Sequence, residues 1–349
     1  MQLAAMQAVS VSRHDFDAML HFARLMHRMK FSPAYVEALL PQLPVSALKE
    51  PEQPSVLMGY DFHITSDGPK LIEINNNAGG LYIADGQWLP QPELQEWKDT
   101  LQQRLQGMFP EHWQNLAIMD ENVETQFMYP EMLAYAELLQ SRTRKIFVVS
   151  PKDVIEGKDG LYVETVKLDA IYNRHTDFYL ESGPLCHIRK AYLAGQIALS
   201  PNPRSYALLG DKGRMVDWWR QGLLDGFLAD DEVTFIRCIV PETRRLSDVE
   251  SELAWAERKQ WVFKPAARHG GKGVLLGRAM SSKRFGEMDR HSTVMQRYVA
   301  PSKVGEFKFD MRLYMHGERL IAVAGRLWKG QVTNFREPGS GWVPVAIED

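Results

Sequence analysis

The sequence predicts a mixed α/β and α+β protein of two or three domains, with a largely parallel sheet in its middle third. Three observations carry that expectation. Residues 115–172 alternate short apolar runs with a helical pattern, as strands joined by crossover helices do. Residues 56–75 place two apolar runs around Ser66, Asp67 and Gly68, a hairpin signal. Between residues 261 and 326 five more strand-like runs follow one another.

Taken in order, residues 12–40 read as helix, because Phe16, Met19, Leu20, Ala23, Met26 and His27 recur at helical spacing. Pro41, Pro44, Pro51 and Pro54 then break the chain ahead of a strand at 56–64, and 70–75 is its return strand. Pro90 and Pro92 precede a helix at 93–108. The runs 116–119, 146–150 and 170–172 are strands, with a helix at 129–139 between the first two. Residues 186–206 connect into the last third, where 261–265, 273–277, 293–299, 309–315 and 319–326 read as strands.

Composition narrows the function classes. The 349 residues are 45% hydrophobic and 24% charged, ordinary for a globular protein. A net charge of −3 lacks the basic excess of a nucleic-acid binder. Cys186 and Cys238 stand far apart without zinc-ligand spacing and read as buried thiols. No stretch nears the ~18–20 apolar residues of a membrane span, and the start lacks the apolar core of a signal peptide. Cytoplasm is the expected compartment.

The acidic hairpin is the most informative stretch. If Ser66-Asp67-Gly68 forms a three-residue loop with Gly68 left-handed, Thr65 pairs with Pro69 and Asp61 lies across from Glu73. Asn75, two residues further on, projects from the same face. Directly opposed side chains hold their Cβ atoms only ~4.5–5.5 Å apart, so two carboxylates there call for a cation or a proton. Two carboxylates and an amide form an all-oxygen set suited to magnesium. An exposed hairpin with harmless acids is the bland alternative, set against the apolar Leu71, Ile72 and Ile74 between them.

The second stretch runs from the apolar strand bearing Lys264 into His269, Gly270, Gly271, Lys272 and Gly273. A glycine-rich loop lets backbone amides close over phosphates, and the strand lysine adds compact positive charge. It is not a P-loop, since Gly273 rather than Ser or Thr follows Lys272. Nor does it open a helix, as a dinucleotide-binding loop does. Alone it is equally a glycine-rich hairpin. Upstream, Asp211 is placed to cap a helix whose first turn holds Lys212, where a lysine gains nothing from the helix dipole unless an anion is bound.

Together these pieces resemble the ATP-grasp superfamily. Its elements stand here as Lys212, Lys264 with the loop 269–273, Gln296-Arg297-Tyr298-Val299, Asp310-Met311-Arg312, Arg326 and Thr333-Asn334-Phe335. The family's closing Asp and Glu-x-Asn element is found at the front, as Asp61, Glu73 and Asn75, so the chain looks like a circularly permuted ATP-grasp protein. The resemblance covers roughly residues 56–80 and 206–345. It implies three parts: residues 1–114, a helical segment plus a hairpin (55–80) completing the ATP-grasp large subdomain; a small Rossmann-like α/β domain at 115–205; and the nucleotide-binding subdomains at 206–349.

It also implies roles. Lys212, Lys264 and the glycine loop would bind ATP phosphates, Gln296, Arg297, Tyr298 and Val299 would frame adenine, and Asp61, Glu73 and Asn75 would hold Mg2+. Arg326 would stabilise the transferred phosphoryl group, with Arg312 and Asn334 at the reacting centre. The implied activity is that of an ADP-forming ligase of the glutathione synthetase-like type, joining a carboxylate to an amine through an acylphosphate. Its partners would be small amino-acid or peptide-like substrates, with neither nucleic acid nor membrane; a homodimer stays open. Arg297 departs from the family, standing where an acid is common. Asn173 and Arg174, at a strand end in the middle third, are candidate substrate binders, as are Asp310 and the turn Ser340-Gly341. A small-molecule kinase on the same site, a nucleotide-binding regulator without turnover, and a dehydrogenase on the middle α/β part are the competing readings.

Overall fold

The computed structural model describes residues 8–85, 100–266, 273–331, 333–335 and 337–349. Strand β1 (Val9–Ser12) leads into helix α1 (Arg13–Met29). The Ser12 hydroxyl accepts the Asp15 amide at 3.1 Å and so satisfies one of the orphan donors of the first turn. Phe16, Met19, Phe22, Met26 and Met29 form its buried stripe. The single helix expected over 12–40 is in fact two, because α2 (Pro33–Leu39) starts afresh after Ser32. Pro33 lacks the N–H needed to continue α1, yet suits the first turn of a new helix.

Strands β2 (Met58–Thr65) and β3 (Gly68–Asn75) form the hairpin. Thr65 pairs with Gly68 and Phe62 with Leu71; the register then slips by one, so that Asp61 faces Glu73 and Gly59 faces Asn75. The loop is therefore one residue shorter than expected. Ile72 is the extra residue of a bulge that restores the Asp61–Glu73 pairing. Gly68 has φ +85°, the left-handed conformation its position required.

In the middle third, β4 (Asn115–Met119), helix α3 (Tyr129–Leu139), β5 (Lys145–Val149), β6 (Ala170–Asn173) and β7 (Ala198–Ser200) build an all-parallel sheet in the order β7-β6-β4-β5. Leu116, Ile118 and Tyr172 pack on one of its faces, and Ala117, Met119 and Ile171 on the other. Burial on both faces explains why these strands read as unbroken apolar runs.

Further on, α4 (Gly213–Trp219) is followed by β8 (Thr243–Arg245), β9 (Trp261–Pro265), β10 (Leu275–Leu276) and β11 (Thr293–Arg297). These strands form an antiparallel sheet in the order β8-β11-β9-β10. The strand expected at 273–277 is only two residues long. Last come β12 (Phe307–His316), β13 (Arg319–Trp328), β14 (Gly341–Val343) and β15 (Val345–Glu348).

These late strands join the early hairpin in one sheet, β14-β13-β12-β2-β3, with Arg312 of β12 opposite Asp61 of β2. The extreme segments also meet, since β1 pairs in parallel with β15, Val9 beside Val345. Helix α1 and the C-terminal strands share one hydrophobic core. Among the described residues, no helix is long and apolar enough to cross a membrane.

Candidate active site between two sheets

Register puts the charged residues on one face of the large sheet. Asp310 pairs with Arg326 across β12 and β13; two residues along, Arg312 pairs with Asp61, and Asp61 with Glu73. A spacing of two keeps Asp310 with Arg312 and Glu73 with Asn75 on a common side. The Arg312 guanidinium grips Asp61 through Nε to Oδ1 at 2.6 Å and Nη2 to Oδ2 at 2.7 Å. Arg326 donates to Asp61 at 2.8 Å and to both Asp310 oxygens at 2.6 and 2.8 Å. Thr333 Oγ1 donates to Asp310 at 3.0 Å.

Between the facing carboxylates lies an amide. Asn75 Nδ2 donates to Asp61 at 2.9 Å and to Glu73 at 3.3 Å. The repulsion expected of the opposed acids is thus relieved by Asn75 and the two arginines. Burial by itself would raise the Asp61 carboxyl, but Arg312 and then Arg326 pull it below the usual carboxylate range. Asp310 goes the other way: burial raises it, and Arg326 offsets only part of that rise.

Lys264 enters from the second sheet. Its Nζ donates to Gln296 Oε1 at 2.6 Å and to the Ile72 carbonyl at 3.0 Å. Ile72 is the bulge residue, so the irregularity in β3 supplies the acceptor that draws the two sheets together. Burial lowers Lys264 to about 8, with Glu73 partly counteracting the fall.

Between the sheets is a cavity of about 300 Å³. Lys212, Lys264, Glu73, Asn75, Arg312 and Arg326 line its charged end. Val262, Leu276, Tyr298 and Val299 line it too, with Asp310 and Asn334. Residues from the first quarter and the last third of the chain therefore share one space. Helix α4 starts one residue later than expected: Lys212 is its N-cap rather than part of its first turn, and Asp211, ahead of it, accepts the Gly213 amide on Oδ1 at 2.8 Å.

Other expectations need correction. Cys186 and Cys238 are both exposed rather than buried. Asp61 is fully buried, behind Arg312 and Arg326, and does not line the cavity. Gln296 lines it, but its amide is committed to Lys264, Thr243 and Met215. Arg297 lines the cavity while its guanidinium stacks on Trp261 at 4.2 Å and pairs with Glu242 at 3.0 Å. Arg174 is only 5% exposed; it donates to the Ala78 carbonyl at 2.9 Å and lies 3.9 Å from buried Glu131, facing inward and not lining the cavity. Asn173 is buried as well, accepting the His175 amide. Ser340 is buried and Gly341 pairs with Leu327 inside the sheet, so that segment is not an open turn. His269, Gly270, Gly271 and Lys272 lie outside the described residues, and Gly273 has φ +81°.

The sequence reading missed His63, Trp328 and Lys308, all of which line the cavity. Each stands two residues from a residue already singled out: Asp61, Arg326 and Asp310. Extending the period of two by one step in each strand finds all three. Burial lowers the His63 imidazole to about 4, and its ring stacks against Trp328 at 6.1 Å.

No family model and no curated protein matches the sequence. Solved structures do match the fold. A glutathione synthetase-like effector from Globodera pallida, in apo form, aligns over 98% of this chain and 89% of its own, with a TM-score of 0.62 at 10% identity. A putative gamma-glutamylcysteine synthetase from Methylobacillus flagellatus aligns over 90% of this chain and 85% of its own, with a TM-score of 0.54 at 14% identity. The chain has the fold of these structures.

Proposed function

We propose that the protein is an ATP- and Mg2+-dependent ligase that joins a carboxylate to an amine through an acylphosphate, on a circularly permuted ATP-grasp fold. One observation carries the reading: Lys212, Lys264 and Arg326 share a cavity with Glu73 and Asn75, cations and oxygen donors facing a common space. That is the pattern a nucleotide triphosphate and its metal ion require. The shared fold supports it.

The donor chemistry fits magnesium. Among the described residues no three His, Cys, Asp or Glu side chains gather as a metal site, so the set depends on the Asn75 amide. That amide already sits between the two carboxylates, and turning it presents Oδ1 in place of Nδ2. Glu73, Asn75 and Asp61 would hold the ion, which when bound would neutralise phosphate charge. For Asp61 to take part, Arg326 must release it.

The protein's own groups do the rest by position. Lys212 and Lys264 hold the phosphates, and the apolar walls Val262 and Leu276 with Tyr298 accept the base. A substrate carboxylate attacks the γ-phosphorus and ADP departs. The amine then attacks the acyl carbon, and inorganic phosphate leaves as the amine gives up its proton. Arg326, freed from Asp61, offers a bidentate fork to the transferring phosphoryl group, and Arg312 keeps Asp61 in register. No covalent protein intermediate is required.

The test is ADP and phosphate release over a panel of amino acids, supplied singly and in pairs. Phosphate release that needs both a carboxylate and an amine is expected; ADP without phosphate release points to a kinase. Glu73→Gln is expected to reduce turnover by more than the ~10–100-fold typical of losing an outer-shell partner of a metal. Full activity in that variant would remove the metal role.

A further inference from the structure

Helix α1 ends at a lysine that the active site does not use. Lys30 caps its C-terminal end and is only 5% exposed. Among the described residues its ammonium makes no hydrogen bond and no ion pair, and it stands over the Phe31 ring at 5.1 Å. The His27 and His316 imidazoles feel its charge, and burial lowers both, so neither offers a counter-ion. Burial therefore lowers Lys30 to about 8, with no carboxylate to offset it, and it stays mostly protonated at neutral pH. A buried cation without a counter-ion is a costly arrangement unless something supplies the charge.

The lysine lines a cavity of about 350 Å³, separate from the one between the sheets. Its walls include apolar surface from Pro33, Val36, Pro54 and Leu208. Glu37, Glu50 and Glu52 also line it, all three exposed side chains. The volume is that of a small-molecule site. A buried base, apolar surface and acidic side chains line one cavity, and an α-amino acid carries a group for each; Arg204, which also lines it, donates to the Leu48 carbonyl at 3.1 Å.

We propose that this cavity is a second ligand site, for an α-amino acid with an apolar side chain: the carboxylate on Lys30, the side chain along Val36 and Leu208, the ammonium toward the glutamates of the rim. The proposal stands apart from the ligase reading, since it uses none of the same residues.

Calorimetric titration of the nucleotide-free full chain tests it, with L-leucine, 4-methylpentanoate, which lacks the amine, and isoamylamine, which lacks the carboxylate. Leucine is expected to bind wild type, 4-methylpentanoate more weakly, and isoamylamine not at all. Losing a charge-assisted contact on Lys30→Met should weaken leucine about tenfold or more. Glu73→Gln should leave leucine binding unchanged, which separates this site from the one between the sheets. Absence of leucine binding to wild type, equal binding by Lys30→Met, or loss confined to Glu73→Gln would each overturn the proposal. A second measurement needs no variant: acetic anhydride labelling of wild type, read by peptide mass spectrometry. Leucine should slow acetylation of Lys30 several-fold while exposed lysines are unaffected; unchanged Lys30 labelling counts against the site.

Discussion

At the residue scale, Asp61 shows how one side chain takes its character from others far along the chain. It is completely buried, and Arg312 and Arg326, some 250 positions later, join the Asn75 amide in making its charge tolerable. Asp61→Asn removes that charge and leaves buried Arg312 without its ion-pair partner, while Arg326 keeps Asp310. Breaking a buried ion pair in this way typically costs ~3–5 kcal/mol. Urea unfolding should show a lower midpoint with an unchanged slope, the product of shift and slope giving that loss. A loss below ~1 kcal/mol would mean that the arginines reach solvent or other partners readily.

The element that decides the geometry is β3 and the loop beyond it. The bulge at Ile72 realigns Asp61 with Glu73 and offers its carbonyl to Lys264, so one irregularity serves both sheets. After Asn75 the chain passes through Gly79 and Gly80 into the helical turn Leu81–Ala84. Buried Glu131 of α3 accepts the Gly80 amide at 2.9 Å, and Arg312 and Tyr314 both donate to the Gly79 carbonyl at 3.1 Å. Gly80 has φ +95°, and a Cβ there would lie 2.2 Å from the Trp342 ring. Gly80→Ala therefore combines a left-handed backbone penalty with overpacking, together ~2–4 kcal/mol. Thermal or urea unfolding reads the loss, and turnover should fall further, because the loop anchors the end of β3.

Over the whole molecule the hairpin and the last strands are one sheet, so the proposed nucleotide site is tied to the stability of both ends of the chain. A ligand that binds only the folded state adds ~2.7 kcal/mol at a hundredfold excess over its Kd. Mg2+ with ATP should raise the melting temperature of wild type, and Mg2+ should add nothing beyond ATP alone in Glu73→Gln. An equal magnesium effect in both proteins would place the ion elsewhere.

By itself the sequence determined the local elements and the chemical inventory. Period-two runs marked β2, β3, β12 and β13, helical periodicity marked α1 and α3, and the acids and lysines of the site stood out by type and spacing. These signals depend on near neighbours, so one chain suffices to read them. Only the tertiary structure decided which residues meet. Arg174 and Ser340 looked available and are buried; Asp61 looked like an open ligand and is held by arginines; Gln296 looked like an adenine contact and holds Lys264. Such outcomes depend on strand order and on what packs behind each side chain, and pairing partners some 250 residues apart leave no periodic trace in either segment.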